Sequence, residues 1–187
     1  MELADLMARE GIAPGGVVHV GAHLGQEVDD YRAIGFGRIV LVEPNPECHE
    51  ALAAIEGVTL VPAACGRAPG ETRLHLTVKR QRSSLYQPLR DRHRTVTVPV
   101  VRLADIQAGC NVAVVDVQGG ELDVVAGADL DMLDLVVLET RTVHEYRGAP
   151  LHRAVVQTMR GLGWRRAATW RHGTGRVRDV AFVREAV

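Results

Sequence analysis

The chain has 187 residues, of which 47% are hydrophobic, 24% charged and only 4% aromatic, and its formal net charge is -1 at pH 7. This length predicts one domain over residues 1–187, and the balanced charge excludes a strong overall attraction for nucleic acid or an anionic membrane. No apolar run approaches the ~20 residues of a membrane helix, and the first residues lack the basic character of a signal peptide. The three cysteines are widely spaced and form no disulfide framework. We therefore predict a cytoplasmic protein.

Short β-branched runs alternate with helical patterns along the first sixty residues. The runs are residues 17–20, 38–43 and 58–61. They are apolar on both faces, which is typical of interior strands in a covered parallel sheet. A glycine turn at 21–25 leads into a helix that reaches about Ile34. Asn45 as N-cap, followed by Pro46, predicts the start of the next helix.

The middle of the chain breaks this rhythm. Residues 72–78 and 95–101 alternate polar and apolar side chains, as half-exposed strands do, and a polar loop separates them. We therefore predict a small β insertion at about 71–103.

The βα pattern then resumes to the end of the chain. Strands are predicted at 111–116, 135–139, about 164–170 and 177–184, with a short helix after Gly120 and another at about 150–161. A hairpin turn at 171–175 joins the last two strands. The alternation predicts an α/β fold, namely a doubly wound (Rossmann-like), mainly parallel sheet of seven strands with an antiparallel C-terminal hairpin.

In such a sheet, ligands bind at the carboxyl ends of the strands, near the point where strand order reverses. Gly21 and Gly25 follow the first strand as G-x-x-x-G, which lacks the middle glycine of the dinucleotide fingerprint and so disfavours an NAD-dependent reductase. Glu43 ends the second strand, where an acid can accept hydrogen bonds from both hydroxyls of a ribose. Together these residues indicate a cofactor that contains adenosine.

Two further strands end in carboxylates, Asp116 and Glu139, each preceded by a wholly apolar run. Such residues are poor candidates for a core and good candidates for a cleft. Asp116 is the first candidate for chemistry, and the alternative is that it caps the helix that follows.

Seven short motifs occur in the order seen in FkbM-like methyltransferases. They are residues 19–25, 42–46, 63–66, 83–85, 98–103, 116–122 and 138–140. The chain thus resembles, from about residue 17 to 164, a family of class I enzymes that use S-adenosylmethionine (SAM). Many of its members are O-methyltransferases of polyketide or sugar hydroxyls in secondary metabolism. The resemblance implies one class I methyltransferase-like domain with SAM as its cofactor.

The resemblance also implies where SAM would bind. The implied residues are Gly21, Ala22, His23, Gly25, Glu43, Asn45, Ala63, Ala64, Ser83, Ser84 and Asp116. The residues of the first turn would flank the methionine part, and Glu43 would hold the ribose with Asn45 beside it. The alanines and serines would border the adenine, and Asp116 would lie near the methyl group and the acceptor.

The chain departs from the family pattern in three places. His19 stands where many relatives carry an acid, and Gln118 replaces a more frequent Glu. The chain also starts only 16 residues before the first strand, so we expect no substantial N-terminal lid. Either the acceptor binds in an open cleft, or a second subunit completes the site in a homodimer.

Methyl transfer to an alcohol needs alignment of the reactants and a base that removes the acceptor's proton. The candidates for the base are Asp116, Glu139, His23 and His144, of which Asp116 and His144 are predicted to be catalytic. Asp116 and Glu139 suit Mg²⁺, but no third carboxylate has convincing spacing, so no metal is predicted. The expected reaction is O-methylation of a hydroxyl on a small molecule such as a sugar or secondary metabolite.

Two other functions stay open at this point. The basic residues within 79–94 could contact phosphates, as in a nucleic-acid methyltransferase. Against this, the segment has a single aromatic residue, Tyr86, on which a base could stack. The motif after the fourth strand also differs from the one that base-modifying methyltransferases share. The substituted motif positions also fit a non-catalytic SAM-fold module that serves as a partner subunit.

Overall fold

The structure is a computed structural model that describes residues 2–78 and 82–184. Within these residues seven strands form the main sheet: β1 (Gly16–Val20), β2 (Arg38–Val42), β3 (Thr59–Val61), β7 (Val112–Val115), β8 (Leu135–Arg141), β9 (Trp164–His172) and β10 (Val177–Arg184). Their order is β3-β2-β1-β7-β8-β10-β9. The first five pair in parallel, and β10 runs antiparallel to both β8 and β9. The predicted sheet and its C-terminal hairpin are confirmed.

Among the described residues, the insertion forms a second sheet of three strands. These strands are β4 (Ala64–Cys65), β5 (Gly70–Thr77) and β6 (His93–Val101), in the order β4-β6-β5. The alternation of polar and apolar residues predicted β5 and β6, which pair antiparallel. Two residues are too few to show a period, so β4 was missed.

The helices described are α1 (Glu2–Glu10), α2 (Val28–Ile34), α3 (His49–Ala53), α4 (Glu121–Ala126) and α5 (His152–Gly161). Helix α1 was not predicted from the sequence. The predicted start at Asn45 is confirmed, because its Oδ1 accepts a hydrogen bond of 3.0 Å from the backbone N–H of Glu47. The chain there begins as a 3-10 turn at Pro46–Cys48 and becomes helical only at His49. None of these helices has the length and apolarity that crossing a membrane requires.

Apolar side chains cover both faces of the main sheet. Val18 and Val40 pack on one face with Val155 of α5, and Leu41 packs on the other with Leu52 of α3. All of these side chains are almost completely buried. This explains why the parallel strands are apolar on both faces, and it leaves their ends as the place for polar chemistry.

Candidate active site

A cavity of about 450 Å³ lies at the carboxyl ends of β1, β2, β7 and β8. This is where strand order reverses, because the chain passes from β1 to β2 on one side and β7 lies on the other. Eight of the twelve predicted site residues line the cavity: Gly21, Ala22, His23, Glu43, Ala64, Ser83, Ser84 and Asp116. The structure therefore brings together most of the residues that the resemblance implied.

The other four predicted residues, Gly25, Asn45, Ala63 and His144, do not line this cavity. A Cβ on Gly25 would lie 2.6 Å from Ile55 Cδ1, so this glycine keeps the first turn close to the helices. The Asn45 side chain is buried as a helix cap, and Ala63 is buried. His144 is exposed in the loop after β8, so its position gives no support to a catalytic role.

Gly21 allows the ends of β1 and β7 to meet. Its φ is +88°, and a Cβ at this position would lie 1.9 Å from the backbone oxygen of Asp116. Any side chain would therefore push the two strand ends apart. The glycine is needed for close backbone approach at the floor of the cavity, which the sequence pattern alone did not show.

Glu43 is buried at the end of β2, and its carboxylate is fixed by two backbone amides. The N–H of His23 donates to Oε2 and the N–H of Asn45 donates to Oε1, both at 2.8 Å. Burial raises the pKa of this carboxyl, and the two amides act in the opposite direction. Each oxygen keeps lone pairs for a further donor, so the group can accept hydrogen bonds from hydroxyl groups of a ligand.

Asp116 and Glu139 lie side by side at the ends of β7 and β8. Gln118 Nε2 donates to Asp116 Oδ1 at 2.5 Å and to Glu139 Oε1 at 3.0 Å, so one amide bridges the two carboxyls. Arg141 Nη2 contacts Glu139 Oε1 at 2.8 Å. The pKa of Asp116 is raised well above its usual range, by burial first and then by the charge of Glu139. Burial also raises the pKa of Glu139 to about 7, against the opposing effect of Arg141.

The cavity contains charged residues that the sequence analysis missed. Arg82 and Arg141 both bind Glu145, at 2.5 and 2.7 Å. Glu27 lies at the other end, with its Oε2 3.8 Å from Nδ1 of the buried His19. Glu27, Arg82 and Glu145 stand at least four positions beyond the predicted strand ends, and Arg141 stands two positions beyond one, so spacing along the chain did not point to them.

The segment 79–94 was the basis for the nucleic-acid alternative. Lys79 and Arg80 lie outside the described residues. Arg82 faces Glu145 and Asp91, and Arg94 contacts Glu47 at 2.7 Å. These two arginines therefore bind carboxylates of the same chain, and their arrangement gives no support to a row of phosphate contacts.

Metal binding is not supported by any cluster in the described part of the chain, where no three His, Cys, Asp or Glu side chains are grouped as ligands. The expectation of no metal stays a prediction. The cavity instead brings together the amide-anchored carboxylate of Glu43, the carboxyls of Asp116 and Glu139, and apolar side chains such as Leu74 and Leu85.

Comparison with protein families gave a match to the model of the methyltransferase FkbM domain over residues 19–166. The comparison with curated proteins found no match.

Several solved structures are similar in fold. Methyltransferase FkbM from Methylobacillus flagellatus KT matches 91% of this chain and 44% of its own, with 13% identity and a TM-score of 0.63. A ribosomal protein L11 methylase from Lactobacillus delbrueckii subsp. bulgaricus matches 99% of this chain and 78% of its own, with 13% identity and a TM-score of 0.58. The magnesium protoporphyrin IX methyltransferase from Synechocystis PCC 6803, with bound SAM, matches 98% of this chain and 77% of its own, with 14% identity and a TM-score of 0.57. The chain thus spans less than half the length of the FkbM structure.

Proposed function

The chain belongs to the methyltransferase FkbM family, and from this premise we propose that it methylates a hydroxyl oxygen of a small-molecule acceptor. The cofactor is SAM, as the resemblance to this family implied. The observation that supports the proposal most is the cavity at the switch point of the sheet, which joins an amide-anchored Glu43 to a partly buried pair of carboxyls, Asp116 and Glu139.

The residues present fit SAM. Glu43 would accept the ribose hydroxyls, since both of its oxygens are held in place before the ligand arrives. Ala64, Leu74 and Leu85 give the cavity an apolar border suited to an adenine ring. Glu27 supplies a carboxylate for the ammonium group of the methionine part. SAM itself supplies a methyl group on a sulfonium, which is activated for in-line displacement.

The protein must also accept a proton. An alcohol is a weak nucleophile until a base within hydrogen-bond reach takes its proton. Asp116 and Glu139 provide that base, because one carboxyl of the pair can ionise near neutral pH while the other holds a proton. When bound SAM methylates the acceptor oxygen, the hydroxyl proton would pass to the ionised carboxyl of the Asp116–Glu139 pair. An alcohol needs such a base whereas a neutral amine already carries a nucleophilic lone pair, so we favour an oxygen over an amine nitrogen as the methylated atom.

The test begins with isothermal titration of SAM into the wild-type protein and the variants Glu43→Ala and Asp116→Asn. Glu43→Ala is expected to weaken binding about tenfold or more, because hydrogen bonds to a charged group contribute about 1.5–3 kcal/mol. Asp116→Asn should leave SAM affinity within a few-fold of wild type. Glu50→Gln, an exposed acid on α3, is the matched control and should bind as wild type does.

An acceptor screen that follows release of S-adenosylhomocysteine then tests turnover. Sugars, polyketides and other hydroxylated small molecules should support release by wild type, and Asp116→Asn should lower it strongly. Binding of SAM without turnover on any acceptor would favour the non-catalytic module instead. Methylation confined to nitrogen acceptors would contradict the proposed O-methylation.

A further inference from the structure

Gln118 connects more groups of the candidate site than any carboxylate there does on its own. It follows β7, is 5% exposed, and has a φ of +60°, a left-handed conformation that is uncommon for a residue other than glycine. Its backbone oxygen accepts a hydrogen bond of 2.8 Å from Ser84 Oγ, which in turn accepts one from the N–H of Tyr86. The surrounding structure thus holds this backbone in its strained conformation.

The side-chain amide has only one orientation that satisfies its neighbours. Nε2 donates to Asp116 and to Glu139, as described above. Oε1 accepts from Arg141 Nη2 and, at 2.8 Å, from the hydroxyl of Tyr146. A carboxylate at this position would lose both donors, and an apolar residue would lose the acceptor as well. An amide therefore suits a place between two acids on one side and two donors on the other.

We propose that Gln118 is a positioning residue whose amide holds Asp116 and Glu139 together as one proton-accepting pair facing the cavity. This inference rests on the proposed function, in which the pair takes the proton of the acceptor. The amide bridges two groups that would otherwise repel each other, and its own orientation is set by Arg141 and Tyr146.

Other charged groups also face this pair. They are Arg141 on β8, Glu121 at the start of α4 and Asp179 on β10. Arg141 favours the ionised carboxyls, whereas Glu121 and Asp179 disfavour them. Gln118 contributes with Arg141, because its N–H groups bond to the carboxylate oxygens. Removing the amide should therefore make both acids harder to ionise.

The experiment is a carbon-13 NMR titration of the Asp and Glu carboxyls in the ligand-free protein. It compares wild type with Gln118→Met, which keeps the chain length without the amide, and Gln118→Glu. The midpoints of Asp116 and Glu139 should rise by about one pH unit in Gln118→Met and further in Gln118→Glu, which adds a like charge. Unchanged midpoints in folded variants would overturn the proposal.

Gln107→Met is the matched control. Gln107 is fully buried like Gln118, but its Nε2 donates to the backbone oxygen of Asp129 at 2.7 Å, outside the site. This variant should change stability and leave the titration of Asp116 and Glu139 as in wild type. An equal shift in the control would show that loss of any buried amide suffices, and would overturn the specific role of Gln118.

A measurement on the wild-type protein keeps the proposal testable where the variants do not fold. The side-chain NH₂ signals of Gln118 should move with pH at the same midpoints as the two carboxyls, and signals that are insensitive to pH would refute the bridge. SAM titrated into the same samples tests the proposed function separately. A protein that shows the expected carboxyl shifts and does not bind SAM would refute the function and leave the pairing by Gln118 intact.

Discussion

Replacing Glu121 by Gln tests the electrostatics of the site through folding stability. Glu121 opens α4, is 3% exposed, and its Oε1 accepts a hydrogen bond of 2.8 Å from the N–H of Gly119. Burial raises the pKa of this carboxyl to about 7, and the amide bonds only partly oppose that effect. Gln keeps the size and can keep the bond from Gly119 while removing the charge.

The magnitude follows from the difference between folded and unfolded chains. An unfolded Glu titrates near 4.5, and the folded one near 7, so the folded state binds more protons between these values. The free energy of unfolding therefore falls as pH rises through this window, and the loss is complete above about pH 7. A difference of about 2.5 pH units corresponds to roughly 3 kcal/mol. At pH 8, Glu121→Gln should thus be more stable than wild type by up to about that amount.

The assay is urea denaturation at pH 5 and pH 8, with the free energy of unfolding taken from linear extrapolation. Wild type should lose stability from pH 5 to pH 8, and the loss should be smaller in Glu121→Gln by about 2–3 kcal/mol. Glu50→Gln, in the first turn of α3, is exposed and should follow wild type at both pH values. A Glu121→Gln protein with the full pH dependence of wild type would refute the reasoning.

The remaining predictions concern the first turn of the site. Gly21→Ala should lower the free energy of unfolding by about 2–4 kcal/mol in the same urea assay, because its Cβ would meet the backbone of Asp116. Gly57 also has a positive φ, +74°, but a Cβ there would have nothing within 4 Å, so Gly57→Ala should lower the free energy of unfolding by only about 1 kcal/mol. Equal losses would show that backbone strain alone, and not the contact, matters at Gly21. Glu27→Gln should weaken SAM binding about threefold, because it removes one exposed ion pair with the ammonium group. Binding of methylthioadenosine, which lacks the amino-acid part, should not change. Equal weakening of both ligands would remove Glu27 from the ammonium site.

The sequence pattern found those cavity-lining residues that directly follow a strand. Gly21, Glu43 and Asp116 stand within one residue of the end of an apolar run, and a parallel strand carries its last residues to a fixed edge of the sheet. For such positions, finding the strand is nearly the same as finding the site. This is why a pattern of β-branched runs was enough to locate the cavity.

Positions farther from a strand end could not be predicted in this way. His144 was chosen for its nearness along the chain to residue 139, but the loop after β8 leaves it exposed while Glu145 reaches the cavity. Arg141 was missed because β8 was predicted to end at Glu139, whereas pairing with β10 extends it to residue 141. Residues two apart in a strand share a face, so a longer strand would have placed Arg141 beside Glu139.

The ionisation of the site also depends on contacts that a linear pattern does not carry. Asp116, Glu121 and Glu139 are each raised in pKa mainly by burial, and Arg141 makes an ion pair with Glu139. Because the folded state binds these protons more tightly than the unfolded chain does, all three carboxyls make the folded state less stable at neutral pH than at pH 5. A core that served stability alone would place apolar residues there. Burial also raises the pKa of Glu43 at the end of β2, so the penalty lies at the strand ends that border the cavity. At β7 and β8 the proposed reaction needs a proton acceptor, and this agreement between an electrostatic cost and a chemical requirement links the fold to the proposed function.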